Sequence, residues 1–243
     1  MSTLQRWLIL LTVSGALALV VIDMTVLYTA LPSLTVELAA TPSEKLWIVM
    51  AYGLVVAGLL PSSGALGDRV GHKRTFVAGL VVFGVASLMA AYSPTPAVLV
   101  GARVLLAIGA ALLMPATLSI IRVTFPDGHE RAVAIGVWGA VCSSGAAVGP
   151  LVGGVLLEYF WWGSVFLINV PLVVVSLIAA WSLIPKSCQR PERSLGPISS
   201  VQVMGGLVGF ALVVEKLGSP HPPYAVIAVV AIGTVALLTA FVH

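Results

Sequence analysis

Apolar residues along this chain form eight long runs, separated by short polar segments. The runs lie near 7–31, 46–66, 75–93, 97–121, 132–157, 161–185, 199–217 and 223–243. A helix that crosses the ~30 Å hydrocarbon core of a bilayer needs about 20 apolar residues, so each run predicts one membrane-spanning helix. Helices are expected throughout, because lipid offers no hydrogen-bond partner to an open sheet edge. No alternating strand pattern of about ten residues indicates a barrel.

The polar segments between the runs contain proline, glycine and charged residues. They read PSLTVELAATPSEK, GDRVGHKR, YSPTP, FPDGHER, FWWG, PKSCQRPERSLGP and SPHPP. Such segments favour turns, so the predicted helices end where these segments begin. One segment, 186–198, is suited to be a linker. The predicted organisation is therefore a six-helix bundle over 1–185, a cytoplasmic linker over 186–198 and two additional helices over 199–243.

Composition supports an integral membrane protein. Hydrophobic residues make up 59% of the 243 residues, charged residues only 9%, and the mean hydropathy is +1.10. A soluble domain usually carries about 25% charged residues, so most of this surface is expected to face lipid. The net charge of +3 is weak evidence for nucleic-acid binding, and no nucleic-acid partner is predicted.

Basic residues are concentrated on one side of the predicted spans. With a cytoplasmic N-terminus, nine of the twelve Lys and Arg residues face the cytoplasm, Lys45 and Lys216 face outward, and Arg103 lies within a helix. This bias predicts a multi-pass protein of the cytoplasmic (inner) membrane with its N-terminus inside. The nine residues are Arg6, Arg69, Lys73, Arg74, Arg122, Arg131, Lys186, Arg190 and Arg193.

Two charged residues lie deep within predicted spans. Asp23 lies about eight residues before the outer end of the first helix, which is ~12 Å deep, and Arg103 lies about seven residues after the outer start of the fourth, close to the same depth. An intramembrane charge costs at least about 2.5–3.5 kcal/mol and normally faces a partner or a cavity. One interpretation is a static ion pair that fixes packing. The other is a water-filled cavity between the first and fourth helices, lined by both charges.

The cavity interpretation supplies a mechanism of exchange. Burial favours the neutral form of a carboxyl group and a nearby arginine favours the charged form, so we expect Asp23 to exchange protons near physiological pH. A charged Asp23 would attract an organic cation, and a protonated Asp23 would release it. Competition between proton and cation for one site is the minimum that antiport requires.

Four motifs with specific spacing occur in order along the first six runs. GALGDRVGHKR, 64–74, resembles the loop signature G-x-x-x-D-R-x-G-x-K-R of the major facilitator superfamily, with His72 where arginine or lysine is usual. RVLLAIGAALLMP, which begins at Arg103, resembles the helix 4 motif of that family. GAAVGPLVGG, 145–154, resembles its antiporter motif in helix 5, and IDMTVLYTALP, which contains Asp23, resembles the helix 1 motif of drug:proton antiporters. Together they resemble the 14-helix branch, the quaternary-ammonium and methyl-viologen efflux pumps of the QacA/SmvA type.

The resemblance implies a fold and a set of functional residues. It implies the N-terminal six-helix bundle of that family, built as two inverted three-helix repeats, followed by two extra helices. It assigns proton and cation coupling to Asp23 and Arg103. The implied cytoplasmic gating loop comprises Gly64, Asp68, Arg69, Gly71, Lys73 and Arg74, and the implied antiporter helix contains Gly145, Gly149, Pro150, Gly153 and Gly154.

The glycines of the fifth run have a physical role of their own. Gly145, Gly149 and Gly153 repeat every four residues, a spacing that lets two helices approach closely. Ala146 and Gly154 are expected to widen that face, and Pro150 to bend the helix. Soft or aromatic side chains suited to large organic cations, together with a glycine of the helix 4 motif, are candidates for cavity lining. These are Met24, Tyr28, Met50, Gly109, Met114 and Trp138.

Enzyme motifs are absent from the sequence. It contains no phosphate-binding loop, H-E-x-x-H, C-x-x-C or G-x-S-x-G, so no enzyme activity, metal or cofactor is predicted. The favoured function is proton-coupled efflux of lipophilic, quaternary ammonium cations, with the bilayer, protons and these cations as partners.

Two alternatives to the pump remain. Alternating access needs two halves, and the chain ends at Phe-Val-His directly after the eighth run. The first alternative is therefore a truncated, non-transporting membrane fragment whose C-terminal half is missing or is supplied by a partner. The second is a metabolite carrier of the same fold.

Overall fold

The computed structural model describes residues 1–185 and isolated residues between 205 and 234. Within 1–185 the regular elements are helices: α1 Thr3–Glu37, α2 Pro42–Val70, α3 His72–Ala91, α4 Pro96–Thr124, α5 Gly128–Tyr159, α6 Ser164–Leu167 and α7 Asn169–Leu183. In the described part of the chain, six helical segments are long and apolar enough to cross a membrane, with α6 and α7 together forming the sixth. The first six predicted spans are confirmed. The predicted linker 186–198 lies outside the described residues, and so does most of the last two predicted spans.

Helix ends differ from the prediction at the first connection. The segment PSLTVELAATPSEK was expected to be a turn, but α1 continues through Pro32 to Glu37 and α2 begins at Pro42. An internal proline removes one backbone hydrogen bond without necessarily ending a helix. The start of α2 is fixed by a capping box, in which the Thr41 side chain accepts from the Glu44 N–H and the Glu44 carboxylate accepts from the Thr41 N–H at 2.8 Å.

The connections at the opposite end of the bundle are also shorter than predicted. Within GDRVGHKR only Gly71 is non-helical, and its φ of 105° is a conformation that glycine adopts most readily. Within FPDGHER, α5 begins at Gly128 and is capped by Asp127. The Asp127 carboxylate accepts hydrogen bonds from the backbone N–H groups of Glu130 and His129, and these bonds hold the pKa of Asp127 below its usual range.

The helices pack in a pattern that repeats between the two halves of the bundle. The contact between α1 and α5 in one half corresponds to the contact between α4 and α2. In the same way, the contact between α4 and α3 corresponds to the contact between α1 and α7. Further contacts join α1 to α4 and α3 to α7. Exchanging the first three spans with the last three leaves this pattern unchanged, as expected for the predicted three-helix repeats. Under that exchange α1, which carries Asp23, corresponds to α4, which carries Arg103.

Basic residues near the helix ends gather at one end of the bundle. Arg6 near the start of α1 forms an ion pair with Glu130 at the start of α5. Lys73 at the start of α3 donates to backbone carbonyls at the end of α7. Among the described residues, Arg6 and Lys73 therefore lie at a common end of the bundle, near the end of α4, and the side of the membrane that this end faces stays a prediction.

Candidate functional site

Asp23 of α1 and Arg103 of α4 form an ion pair inside the bundle. Arg103 Nη1 lies 2.8 Å from Asp23 Oδ2, and the exposed fractions of the two side chains are 2% and 0%. The two residues are 80 positions apart in sequence, and the prediction that they share one depth is confirmed by this contact. Because an unpaired charge at such a position is costly, each group neutralises the other.

The second oxygen of the Asp23 carboxylate has a neutral partner. Asn169, the first residue of α7, donates from Nδ2 to Asp23 Oδ1 at 2.9 Å and to Ser87 Oγ of α3 at 3.3 Å. Asn169 is 1% exposed and Ser87 is 0% exposed. The spans α1, α3, α4 and α7 therefore meet at the carboxylate and Asn169.

Arg103 is held on two further sides by α2. Its Nε donates to the Ile48 carbonyl at 3.3 Å, and the Tyr52 ring lies beneath the guanidinium with its centroid 4.3 Å from Cζ. A guanidinium over an aromatic face is attracted by the ring quadrupole. The arginine thus has a carboxylate, a carbonyl and an aromatic face as neighbours.

Sequence reasoning did not identify Asn169, Ser87 or Tyr52 as members of this site. Asn169 carried a usable signal, since it is a polar amide within the apolar run VFLINVPLVVV. A polar side chain inside a span tends to face the bundle interior and a partner. Tyr52 and Ser87 have no feature in the sequence that separates them from ordinary helix residues.

A cavity of about 280 Å³ lies beside the ion pair, among residues of α1, α2 and α4. Three predicted lining residues, Met24, Tyr28 and Met50, line it together with Tyr52 and Arg103. Asp23 does not line it, so the expectation of one cavity lined by both charges is wrong for this structure. The physical reason is that both Asp23 oxygens are turned toward Arg103 and Asn169. The static ion pair, the alternative interpretation, describes the observed geometry.

The other three predicted lining residues do not line this cavity. A side-chain carbon added at Gly109 would lie 2.8 Å from the Phe83 backbone nitrogen, so Gly109 lies where α3 and α4 touch. Trp138 of α5 donates from Nε1 to Thr117 Oγ1 of α4 at 3.2 Å. The Met114 carbonyl accepts from the same threonine hydroxyl at 2.7 Å. Spacing along one helix did not reveal which of its faces borders the cavity.

The predicted gating segment is mostly helical. Gly64 lies on α2 near Pro115 of α4, where an added side-chain carbon would be 3.9 Å from Pro115 Cβ. Asp68 Oδ1 lies 3.5 Å from His72 Nε2, so the residue that departs from the family pattern is one partner of Asp68. Arg69 is exposed on α2.

The remaining basic residues of this segment differ in their contacts. Lys73 Nζ donates to the Trp181 carbonyl at 2.9 Å and to the Ile184 carbonyl at 2.5 Å, both at the end of α7. Arg74 is exposed. Lys73 therefore fastens the end of α7 to the start of α3.

The glycine face of α5 packs closely on another helix, and the structure shows that this helix is α1. Gly145, Gly149 and Gly153 are buried, and a side-chain carbon added at Gly149 would lie 1.8 Å from Thr25 Oγ1. The expected widening is wrong, because Ala146 and Gly154 are exposed, as is Pro150. A side-chain carbon added at Gly154 would meet nothing within 4 Å. These three positions each follow one of the glycines by one residue, a rotation of about 100° around the helix, so they lie on a different face from the one that contacts α1.

Comparison with known proteins defines the class. Residues 13–243 match the Major Facilitator Superfamily, and the chain belongs to this family of membrane transporters. The predicted resemblance is confirmed, as is the prediction that the chain is not an enzyme.

Individual relatives narrow the comparison. The chain is 50% identical over 191 residues to the methyl viologen resistance protein SmvA of Salmonella typhimurium, covering 79% of this chain and 39% of that protein. It is 42% identical over 197 residues to the multidrug efflux pump LfrA of Mycolicibacterium smegmatis, covering 81% and 39%. It thus spans about two fifths of the length of these relatives. The solved structure of the peptide transporter PepTSo of the POT family matches all of this chain and 52% of its own, with a TM-score of 0.70 at 17% identity, which supports the fold alone.

Proposed function

We propose that this chain acts in proton-coupled export of lipophilic cations, quaternary ammonium compounds among them, across the cytoplasmic membrane. The observation that carries the proposal is a fully buried carboxylate, Asp23, separated by one guanidinium from a cavity with methionine and tyrosine walls. The identities of 50% and 42% to a methyl viologen resistance protein and a multidrug efflux pump support the same substrate class.

The cavity has the chemistry expected for large organic cations on most of its wall. Met24 and Met50 supply polarizable thioethers, and Tyr28 and Tyr52 supply aromatic rings. Arg103 is the exception, since a cation that enters meets a positive charge. Cation binding therefore requires Arg103 to leave the Asp23 carboxylate and expose it.

Exchange at Asp23 Oδ2 provides the coupling. In the state that the structure shows, the Arg103 guanidinium neutralises the Asp23 carboxylate. A proton or an organic cation replaces Arg103 as the neutralising partner, and because both compete for one oxygen, binding of either releases the other. A proton that moves down 100 mV supplies about 2.3 kcal/mol, enough for roughly fiftyfold accumulation of a cation.

Two further elements belong to the proposal. The segment from Gly64 to Arg74 serves as the cytoplasmic gating loop, in a topology with the N-terminus inside. The contact between α1 and α5 is built on Gly145, Gly149 and Gly153. It serves as the surface at which α5 moves against α1, the helix that carries Asp23. Small residues support this role, because they present few side chains that must repack during a shift.

Ethidium accumulation in energised inside-out membrane vesicles tests the function. Asp23→Asn removes the exchanging charge and is expected to abolish proton-driven accumulation. Asp127→Asn is the matched control, because it also removes one carboxylate, at an exposed helix cap where asparagine is equally suited. Accumulation by Asp23→Asn equal to that of the unmodified protein would refute the proposal.

A second candidate is a membrane protein in which the ion pair only fixes helix packing. The closed pair, with Asp23 away from the cavity, favours this candidate. Replacing both charges at once, by Asp23→Leu together with Arg103→Met, distinguishes this candidate from the proton-coupled exporter. A buried ion pair is often replaced by apolar residues without loss of stability. A folded double variant that retains proton-driven transport supports packing alone, and a folded double variant that loses it supports coupling.

A further inference from the structure

The two oxygens of the Asp23 carboxylate have partners of different charge. Oδ2 accepts from the Arg103 guanidinium at 2.8 Å, and Oδ1 accepts from the Asn169 amide at 2.9 Å. A neutral amide donates a hydrogen bond without cancelling charge, so it has no reason to leave when a cation arrives. The guanidinium, in contrast, is expected to leave when a cation arrives, because the two positive charges repel each other.

Asn169 is held in one orientation by its own surroundings. Its Nδ2 group carries two hydrogens, and its two acceptors are Asp23 Oδ1 and Ser87 Oγ. All three side chains are buried, so water does not compete for these bonds. Asn169 is also the first residue of α7, which ties this contact to the position of the sixth span.

The groups around Asp23 leave Arg103 as the principal charged neighbour. Among the described residues, α4 contributes Arg103 and α2 contributes the Tyr52 hydroxyl as titratable groups. The spans α3 and α7 contribute neutral hydrogen-bonding groups, and the α5 face against α1 contributes glycines. These neutral residues are Ser87, Asn169, Gly145 and Gly149.

We propose that Asn169 is a positioning residue that fixes Oδ1 of Asp23 and leaves Oδ2 as the single oxygen where guanidinium, proton and organic cation exchange. This inference rests on the proposed function. Asn169 does not touch the exchanging cation. It sets the pH at which Oδ2 takes up its proton, since its hydrogen bond to Oδ1 is stronger with the charged carboxylate than with the protonated carboxyl group.

Loss of the amide has a measurable consequence. Asn169→Leu keeps the branched arrangement of four side-chain heavy atoms and removes the donor to Oδ1. A hydrogen bond to a charged group corresponds to roughly one to two pH units of protonation equilibrium. Asp23 in this variant is expected to take up its proton about one pH unit higher. Asn169→Ala, which removes the same donor without apolar bulk, is expected to shift it in the same direction.

Infrared difference spectroscopy on the reconstituted full chain measures this protonation directly. The carbonyl band of the protonated carboxyl that disappears in Asp23→Asn reports on Asp23. Ser14→Ala is the matched control, because Ser14 is a 2% exposed residue of α1 whose hydroxyl has no hydrogen-bond partner among the described residues. The Asp23 band is expected to titrate at higher pH in both Asn169 variants and at an unchanged pH in Ser14→Ala.

Two outcomes would contradict the role of Asn169, and a third would contradict the proposed function. A band that titrates at the same pH in the Asn169 variants and in the unmodified protein overturns the role of Asn169 alone. An equal shift in Ser14→Ala also overturns it, because the shift would then reflect disturbed packing. An unmodified protein in which Asp23 never titrates overturns the proposed function.

Discussion

The Tyr52 ring and the Arg103 guanidinium are stacked, with 4.3 Å between the ring centroid and Arg103 Cζ. Both side chains line the cavity, whereas Asp23, which pairs with the guanidinium, does not. Tyr52 is 1% exposed, and its hydroxyl has no hydrogen-bond partner within the part of the chain that the structure describes. Arg103 therefore borders the cavity and contacts the carboxylate, and the Tyr52 ring lies against its guanidinium.

Substitution of Tyr52 separates the contribution of the ring from that of the hydroxyl. Tyr52→Phe keeps the ring and removes a buried polar group whose lack of a partner costs about 1–3 kcal/mol, so it is expected to be at least as stable. Tyr52→Leu loses a cation–π contact of about 0.5–2 kcal/mol and is expected to unfold at lower temperature. Thermal unfolding in detergent measures both. An equal loss in the two variants would show that the hydroxyl, not the ring, supports Arg103.

Gly149 is predicted to tolerate no side chain at the α1–α5 contact. In Gly149→Ala the new carbon would lie 1.8 Å from Thr25 Oγ1 and 3.3 Å from the Ile22 carbonyl oxygen. Overpacking of this kind costs about 1–3 kcal/mol, so the unfolding temperature is expected to fall. Gly154→Ala on the same helix is the control, because its new carbon meets nothing within 4 Å. Equal stability of the two variants would contradict the close α1–α5 contact.

Gly109 is predicted to be equally sensitive where α3 and α4 touch. In Gly109→Ala the new carbon would lie 2.8 Å from the Phe83 backbone nitrogen and 3.0 Å from the Gly79 carbonyl oxygen. Backbone atoms cannot rotate away, so the two helices must separate. Gly101→Ala, also on α4, has nothing within 4 Å of the new carbon. Proteolysis of the two variants in membranes should show faster cleavage of Gly109→Ala alone, and equal rates would contradict the assignment.

Lys73 is predicted to stabilise the end of α7. Its ammonium group donates to the Trp181 and Ile184 carbonyls, a favourable place for a cation because helix C-termini carry partial negative charge. Lys73→Met is expected to cost about 1 kcal/mol. Arg74→Met is the control, because it removes an equal charge at the next position, where the side chain is exposed. Equal effects of the two on unfolding temperature would indicate that only the net charge of this end matters.

The sequence predicted the parts of the fold that depend on run length and direction. Apolar runs identified the first six spans, and opposite chain directions placed Asp23 and Arg103 at one depth. Helix ends were less predictable, because hydropathy marks the bilayer core and not the hydrogen bonds that end a helix. The Thr41–Glu44 capping box and the single non-helical Gly71 set those ends locally.

The candidate site was predicted only in part. A charged residue in an apolar run identified both members of the ion pair. Which carboxylate oxygen faces which partner depends on the rotation of each helix about its own axis, or azimuth. That azimuth brought Asn169 to Oδ1 and turned Asp23 away from the cavity. It also placed Gly109 against Phe83 and not in the cavity wall.

Cation-induced proton release tests the central claim, that Asp23 exchanges Arg103 for a proton or an organic cation, most directly. Ethidium is added to the purified, weakly buffered protein, and the pH of the solution is recorded alongside binding. At a pH at which Asp23 holds a proton, the unmodified protein is expected to release protons as ethidium binds, and Asp23→Asn is expected to release none. Ethidium binding without proton release, or equal release from Asp23→Asn, would contradict the claim.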